Sequence, residues 1–198
     1  MSIDADSPRS AGESWLTLYY LGRAAFSTVW VAAALALGQK YAVLGAGLLV
    51  LYPFWDAAAN YIDAARSGGL AANRTQALNV FVSLVTTPAV VVTLQMGLNA
   101  VLATFGAWAV LSGLLQLGTA IGRWRAGAQW AMILSGAQSA LAGAFFVIQA
   151  RQAVPAVIPT IAGYAAFGAI YFLVSAIWLI VGKRLRNSPT DKPPAASA

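Results

Sequence analysis

Leu51-Tyr-Pro-Phe-Trp-Asp-Ala-Ala-Ala-Asn-Tyr-Ile-Asp-Ala-Ala-Arg66 is the stretch on which the reading of this chain turns. An apolar run that begins at Tyr41 takes on a proline, two carboxylates and an asparagine before it ends at Arg66. Composition decides what surrounds it. The 198 residues are 60% hydrophobic and 9% charged, against about 25% charged in an ordinary soluble domain, so there is no polar coat for a water-soluble globule. The solvent of this stretch is lipid, and its charges must be buried in the protein or lie at the membrane edge.

On either side of it, apolar windows of about 20 residues can cross a hydrocarbon core about 30 Å thick, and six can be laid out along the chain. They run over Trp15 to Gly38, Tyr41 to Ala65, Thr75 to Leu98, Ala100 to Gly122, Ala128 to Ala150 and Ala156 to Gly182. Gln39-Lys40, Ser67 to Asn73, Arg123 to Gly127 and Arg151 to Pro155 separate them. The boundary near Asn99 is the least marked, and one re-entrant or broken helix is the alternative there. Membrane barrels need alternating segments of about 10 residues, whereas these runs are continuous and rich in Ala, Leu and Gly. The expected fold is therefore all-α, a six-helix transmembrane bundle over residues 15–186. Met1 to Ser14 is expected to be a disordered cytoplasmic segment, and the proline-bearing Asn187 to Ala198 a disordered cytoplasmic tail. The acidic N-terminus, with Asp4, Asp6 and Glu13 against Arg9, is the reverse of a secretory n-region, so the first helix is expected to be retained.

Orientation follows from the basic residues. With the amino terminus inside, Arg9, Arg66, Arg74, Arg123, Arg125, Lys183, Arg184, Arg186 and Lys192 are cytoplasmic, while only Lys40 and Arg151 are external. That asymmetry predicts both termini in the cytoplasm. The net charge of +6 is spread one or two residues at a time between apolar runs, which excludes a nucleic-acid face. The chain has no Cys and no His, which removes disulfides, thiol nucleophiles, axial haem histidine and the usual zinc ligands. No GxSxG, P-loop or metal-spaced ligand set occurs. A non-enzymatic protein without cofactor or metal is expected, and any proton chemistry would fall to carboxylates, tyrosines or water.

Asp56, Asn60 and Asp63 are spaced i, i+4, i+7 and so share one helix face, with Tyr52 one turn earlier. Asp56 lies ten residues before Arg66, about 15 Å from that helix end. Arg23 lies eight residues after Trp15 on the antiparallel first helix, about 12 Å from the same side. A charge deep in a bilayer costs at least about 2.5–3.5 kcal/mol, so the matched depths predict a buried Arg23–Asp56 pair, with Asn60 serving leftover lone pairs and Asp63 solvated nearer the cytoplasm. Three readings stay open: the pair locks the first hairpin, it forms a proton or cation pathway, or the helix breaks at Pro53 and residues 56–66 lie at the interface.

Asn79, Gln116 and Gln138 lie at similar depth on later helices; a polar centre or ordinary interhelical hydrogen bonds explain them equally well. Thr86-Thr87-Pro88 predicts a second kink, with hydroxyls able to serve freed carbonyls. Gly118 to Gly122 matches GxxxG, and Gly136, Ala140 and Gly143 share a face of the fifth helix. Close packing within the chain is the expected use of these small residues, with a homo-oligomer left open.

Ala103-Thr-Phe-Gly-Ala-Trp-Ala-Val-Leu111 recurs as Ala165-Ala-Phe-Gly-Ala-Ile-Tyr-Phe-Leu173, 62 residues later, and Gly45-Ala-Gly-Leu-Leu is a weaker third copy. The pattern predicts three repeated helical hairpins, from helices one and two, three and four, five and six. With Gly45 to Pro53, Phe105 to Gly113 and Leu51 to Leu70 in view, the body from Trp15 to Arg186 resembles the HdeD-type family of bacterial acid-resistance membrane proteins. Here only Pro53 keeps the family's proline near a repeat-helix end. The resemblance implies a six-helix protein of the bacterial inner membrane and a part in protection against acid or membrane stress. It implies no catalytic residues. A small proton or cation channel or transporter using Asp56 and Asp63 is the alternative. Membrane lipids are the expected partners, with protons or small cations added under that alternative.

Overall fold

The computed structural model describes residues 8–122, 130–153 and 157–186. These form six α-helices: α1 (Pro8–Ala33), α2 (Ala42–Arg66), α3 (Arg74–Met96), α4 (Leu98–Gly122), α5 (Trp130–Gln149) and α6 (Val157–Arg186). No strand occurs among the described residues, as the long apolar runs require. Five helices are long and apolar enough to cross a membrane, over Ser14–Gly38, Ala42–Arg66, Arg74–Met96, Leu98–Ile121 and Val157–Leu185. The sixth expected span is represented by a shorter apolar stretch, Ile133–Gln149. Large apolar side chains face outward on every helix, among them Val29, Val43, Phe81, Ile121, Leu141 and Trp178, all more than 60% exposed. Water does not tolerate so continuous an apolar surface, whereas lipid does.

Several boundaries differ from the sequence expectation. Helix α1 begins at Pro8 rather than Trp15, so the segment expected to be disordered through Ser14 is helical from Pro8 onward. Proline suits a first helical turn, where its missing N–H costs nothing. The remaining N-terminal residues 1–7 and the tail after Arg186 lie outside the described residues, as does the Arg123 to Gly127 turn. The α3–α4 turn is centred on Gly97 rather than Asn99. Gly97 takes φ 111°, a left-handed conformation that glycine adopts freely, and two separate helices replace the broken-helix alternative. Asn99 instead ties this turn to the α5–α6 turn, its Nδ2 donating to the Ala150 and Gln152 carbonyls at 2.8 and 2.7 Å.

Both internal prolines are absorbed. Helix α2 runs through Pro53 without a break, which overturns the reading that left residues 56–66 at the interface. Near the carbonyls that Pro53 disturbs, the Trp30 indole N–H donates to the Leu48 carbonyl at 2.7 Å. In α3, Thr86 and Thr87 hydroxyls donate to the Val82 and Ser83 carbonyls at 2.8 and 2.9 Å, two positions and one position before the carbonyl that Pro88 leaves without a donor.

Each even helix packs most closely on the odd helix that follows it: α2 on α3, α4 on α5, and α6 back onto α1; α3 also lies closely on α4. The α1–α2 and α5–α6 backbones come close at few points, so the closest backbone packing does not follow a division into hairpins one and two, three and four, five and six. Glycine explains the closest pair. A Cβ on Gly113 would lie 2.6 Å from the Ala140 nitrogen, and one on Gly143 2.6 Å from the Val110 nitrogen. The α4 and α5 backbones therefore meet directly, as the small-residue face of α5 predicts. Gly118 is different: it is exposed and an added Cβ would meet nothing within 4 Å, so the GxxxG match is not used at that position for packing inside the chain. The core lies on the side of the turns at Lys40 and Gly97 and is built from Trp30, Tyr52, Phe105, Trp108, Phe146 and Ile161.

Candidate functional site

Below that aromatic core, on the side of Arg66, sits the polar cluster that the Leu51 to Arg66 stretch announces. Helix α2 presents Asp56, Asn60 and Asp63 inward, all three buried. Arg23 of α1 reaches across and forms an ion pair with the Asp56 Oδ1 through Nη2. Two further donors occupy the other carboxylate oxygen: Asn60 Nδ2 at 3.1 Å and Ser83 Oγ of α3 at 2.9 Å. Asn60 also donates to the Asp56 backbone carbonyl at 2.8 Å, which fixes its amide. Ser83 in turn accepts the Trp108 indole N–H of α4 at 2.9 Å.

The arginine is held as firmly as its partner. Its Nη1 donates to the Tyr19 hydroxyl at 3.0 Å, and its guanidinium lies 4.4 Å from the centre of the Phe172 ring of α6, a cation–π arrangement favoured where water is scarce. One ion pair thus gathers side chains from α1, α2, α3, α4 and α6. Helices α1 and α2, whose backbones come close at few points, are bridged by long side chains: Arg23 here, and above it Phe26 against Trp55 and Trp30 against Tyr52, with ring centres 4.3 and 4.7 Å apart. Among the described residues Arg23 Nε is buried without a hydrogen-bond partner.

Asp63 departs from expectation. The sequence places it in solvent, yet it is 9% exposed and accepts the Trp15 indole N–H at 3.2 Å and the Gln76 side-chain amide. The reason is that α1 continues below Trp15 and α3 begins at Arg74, so both flank the last turn of α2. Arg66 lies over the Trp15 ring at 4.2 Å and completes this lower latch.

The other polar candidates are not drawn in. Asn79 is half-buried one turn before Ser83, and its Oδ1 has no hydrogen-bond partner among the described residues. Gln116 and Gln138 are half-buried on α4 and α5 and take no part in the Asp56 cluster. Depth along a helix placed them level with Asp56, but the direction they face is set by packing. Ser83, Trp108, Tyr19, Phe172, Trp15 and Gln76 are participants that sequence reasoning missed. Ser83 carried a usable signal, since it lies one turn beyond Asn79 on the same face of α3. Trp108 carried none, because an indole in a membrane helix reads as an ordinary core or interface residue.

A second polar link lies higher. Ser139 of α5 shares a 2.7 Å hydrogen bond with the Tyr164 hydroxyl of α6 and donates to the Ala109 carbonyl of α4 at 3.0 Å. Tyr52 and Tyr164 both pack edge-on against Trp108, so this link and the Asp56 cluster are separated by aromatic rings. No group of three or more metal-ligating side chains occurs among the described residues. The sequence matches no protein-family model, and neither the curated proteins nor the solved structures gave a match.

Proposed function

We propose that this is a non-enzymatic integral membrane protein of a bacterial inner membrane, with both termini cytoplasmic, whose Arg23–Asp56 cluster is a structural knot. The carrying observation is the saturation of Asp56: its carboxylate meets Arg23, Asn60 and Ser83 from three helices. A carboxylate so enclosed has little room for a travelling ion, and its donors stabilise it as part of the bundle. The resemblance to the HdeD-type family supports a part in protection against acid or membrane stress. The 62-residue repeat relates α2, α4 and α6, and each of these packs closely on the odd helix that follows it, which supports a threefold origin of the body.

The test is proton and potassium flux in liposomes holding the native protein or Asp56→Asn. No flux above protein-free liposomes in either case is the expected result. Flux in the native protein that Asp56→Asn abolishes without loss of folding would overturn the structural reading. Survival of an acid challenge by a strain lacking the protein, restored by the native chain, tests the stress role separately.

One observation favours the channel or transporter reading. Asp56 and Asp63 are both buried on one face of α2, and Asn79 Oδ1 on α3 and Ser112 Oγ on α4 are buried without partners among the described residues. Such orphaned groups are commonly served by internal water, so water reaching from Asp63 toward Asp56 would support that reading.

A further inference from the structure

The α2 and α3 helices pack closely, yet on their outward side they part around an open groove of about 500 Å³. We infer that this groove binds one acyl chain of a bilayer phospholipid. The inference rests on the membrane-spanning character of α2 and α3 and is independent of whether the Asp56 cluster conducts.

The walls are Gly47, Leu51 and Phe54 of α2 and Thr87, Val91 and Gln95 of α3, with three further apolar residues beside them. Their positions along the helices set the depth. Gln95 is one residue from the end of α3, at the level where headgroups begin. Gly47 lies five residues into α2, about 8 Å below its start, and Phe54 about 18 Å below it. The groove therefore runs from a polar mouth into the middle of a hydrocarbon core about 30 Å thick, which is the course of one lipid tail from one leaflet. Its polar groups agree. Thr87 is committed to the Ser83 carbonyl at 2.9 Å, so its hydroxyl adds no donor that a hydrocarbon chain would leave unserved. Gln95 is exposed and stands where an ester or phosphate oxygen would lie.

Gly47 makes the floor. A Cβ there would meet nothing within 4 Å, so the missing side chain leaves space that the protein itself does not fill. A second copy of the chain fits this less well. Helices in lipid approach closely where both present small residues, but here Leu51, Phe54 and Val91 stand 41, 52 and 48% exposed around the glycine. They hold another helix backbone away while leaving a slot for a flexible chain.

The test is to reconstitute the full chain in bilayers containing a trace of phospholipid with a photoactivatable group on one acyl chain, to irradiate, and to map the labelled peptides. Labelling of residues 46–54 and 87–95 is expected to exceed, several-fold, labelling of the equally exposed α6 face around Ile170, Val174 and Ile177. Gly47→Phe should remove that excess, while Leu141→Phe on the exposed face of α5 should not. Even labelling of both faces in the native protein would reduce the groove to ordinary boundary lipid and overturn the inference. Crosslinks between two copies through the groove residues would overturn it in favour of a second chain. The native map decides the matter even if Gly47→Phe does not fold.

Discussion

The α1–α2 contact and the α4–α5 seam hold neighbouring helices together by opposite means. On the first, the backbones come close at few points and the gap is bridged by long side chains, Arg23 ending on Asp56 and Phe26 and Trp30 on the Trp55 and Tyr52 rings. On the second, glycines bring two backbones so close that an added Cβ would lie 2.6 Å from a facing backbone nitrogen. Lipid provides no hydrophobic force between helices, so association depends on close van der Waals packing and on polar groups that have no better partner. This chain uses both in one bundle. The polar knot concentrates its contribution in a few atoms, whereas the glycine seam spreads it along a surface.

That contrast orders the expected effects of substitution, each read as unfolding free energy from reversible denaturation in detergent or bicelles. Arg23→Ala should be the most damaging, at about 3–5 kcal/mol, because it strands a buried carboxylate. Asp56→Ala should approach it, and the double variant should cost much less than the sum; an additive cycle would break the claim that the two act as one unit. Gly113→Ala comes next, at about 1–3 kcal/mol, since the clash is with backbone that cannot swing aside. If Gly113→Ala proves worse than Arg23→Ala, the seam and not the knot is the main support of the fold.

Smaller effects sharpen the picture. Ser83→Ala removes one donor to Asp56 and one acceptor for Trp108, and is expected to cost about 0.6–1.7 kcal/mol, the range of interhelical hydrogen bonds in membranes. A loss as large as that for Arg23→Ala would mean that Asp56 depends on its neutral donors as much as on its ion pair. Gly118→Ala should fall within about 0.5 kcal/mol of the native protein, because its Cβ would meet open space. A large penalty there, together with a change of oligomeric state in crosslinking, would show that the exposed GxxxG face is covered by another copy.

The Arg23–Asp56 pair is legible in the sequence because depth along a helix is simple arithmetic. Two charges at one depth in lipid have strong reason to meet. Asn79, Gln116 and Gln138 satisfy the same arithmetic and are not gathered, since depth says nothing about which way a side chain faces. Asp63 escapes for a related reason: the sequence places it near the membrane edge, but α1 and α3 both extend past it and bring Trp15 and Gln76. The repeat shows the same limit. Phe105 and Phe167 occupy equivalent places in the two best copies, yet one is fully buried and the other 57% exposed.

Hydropathy and helix rise act along a single dimension, and from them the amino-acid order gives the all-helical character of the described residues, helices long and apolar enough to cross a membrane, and one buried ion pair. Three-dimensional packing was needed to establish that α6 returns to α1, that α4 and α5 meet through backbone, and that Ser83, Trp108 and Phe172 complete the polar knot. Those outcomes depend on rotation about helix axes. In lipid that rotation is settled by the fit of facing side chains, and for α3, α4 and α6 apolar periodicity gives no guide, since apolar residues lie nearly uniformly around them.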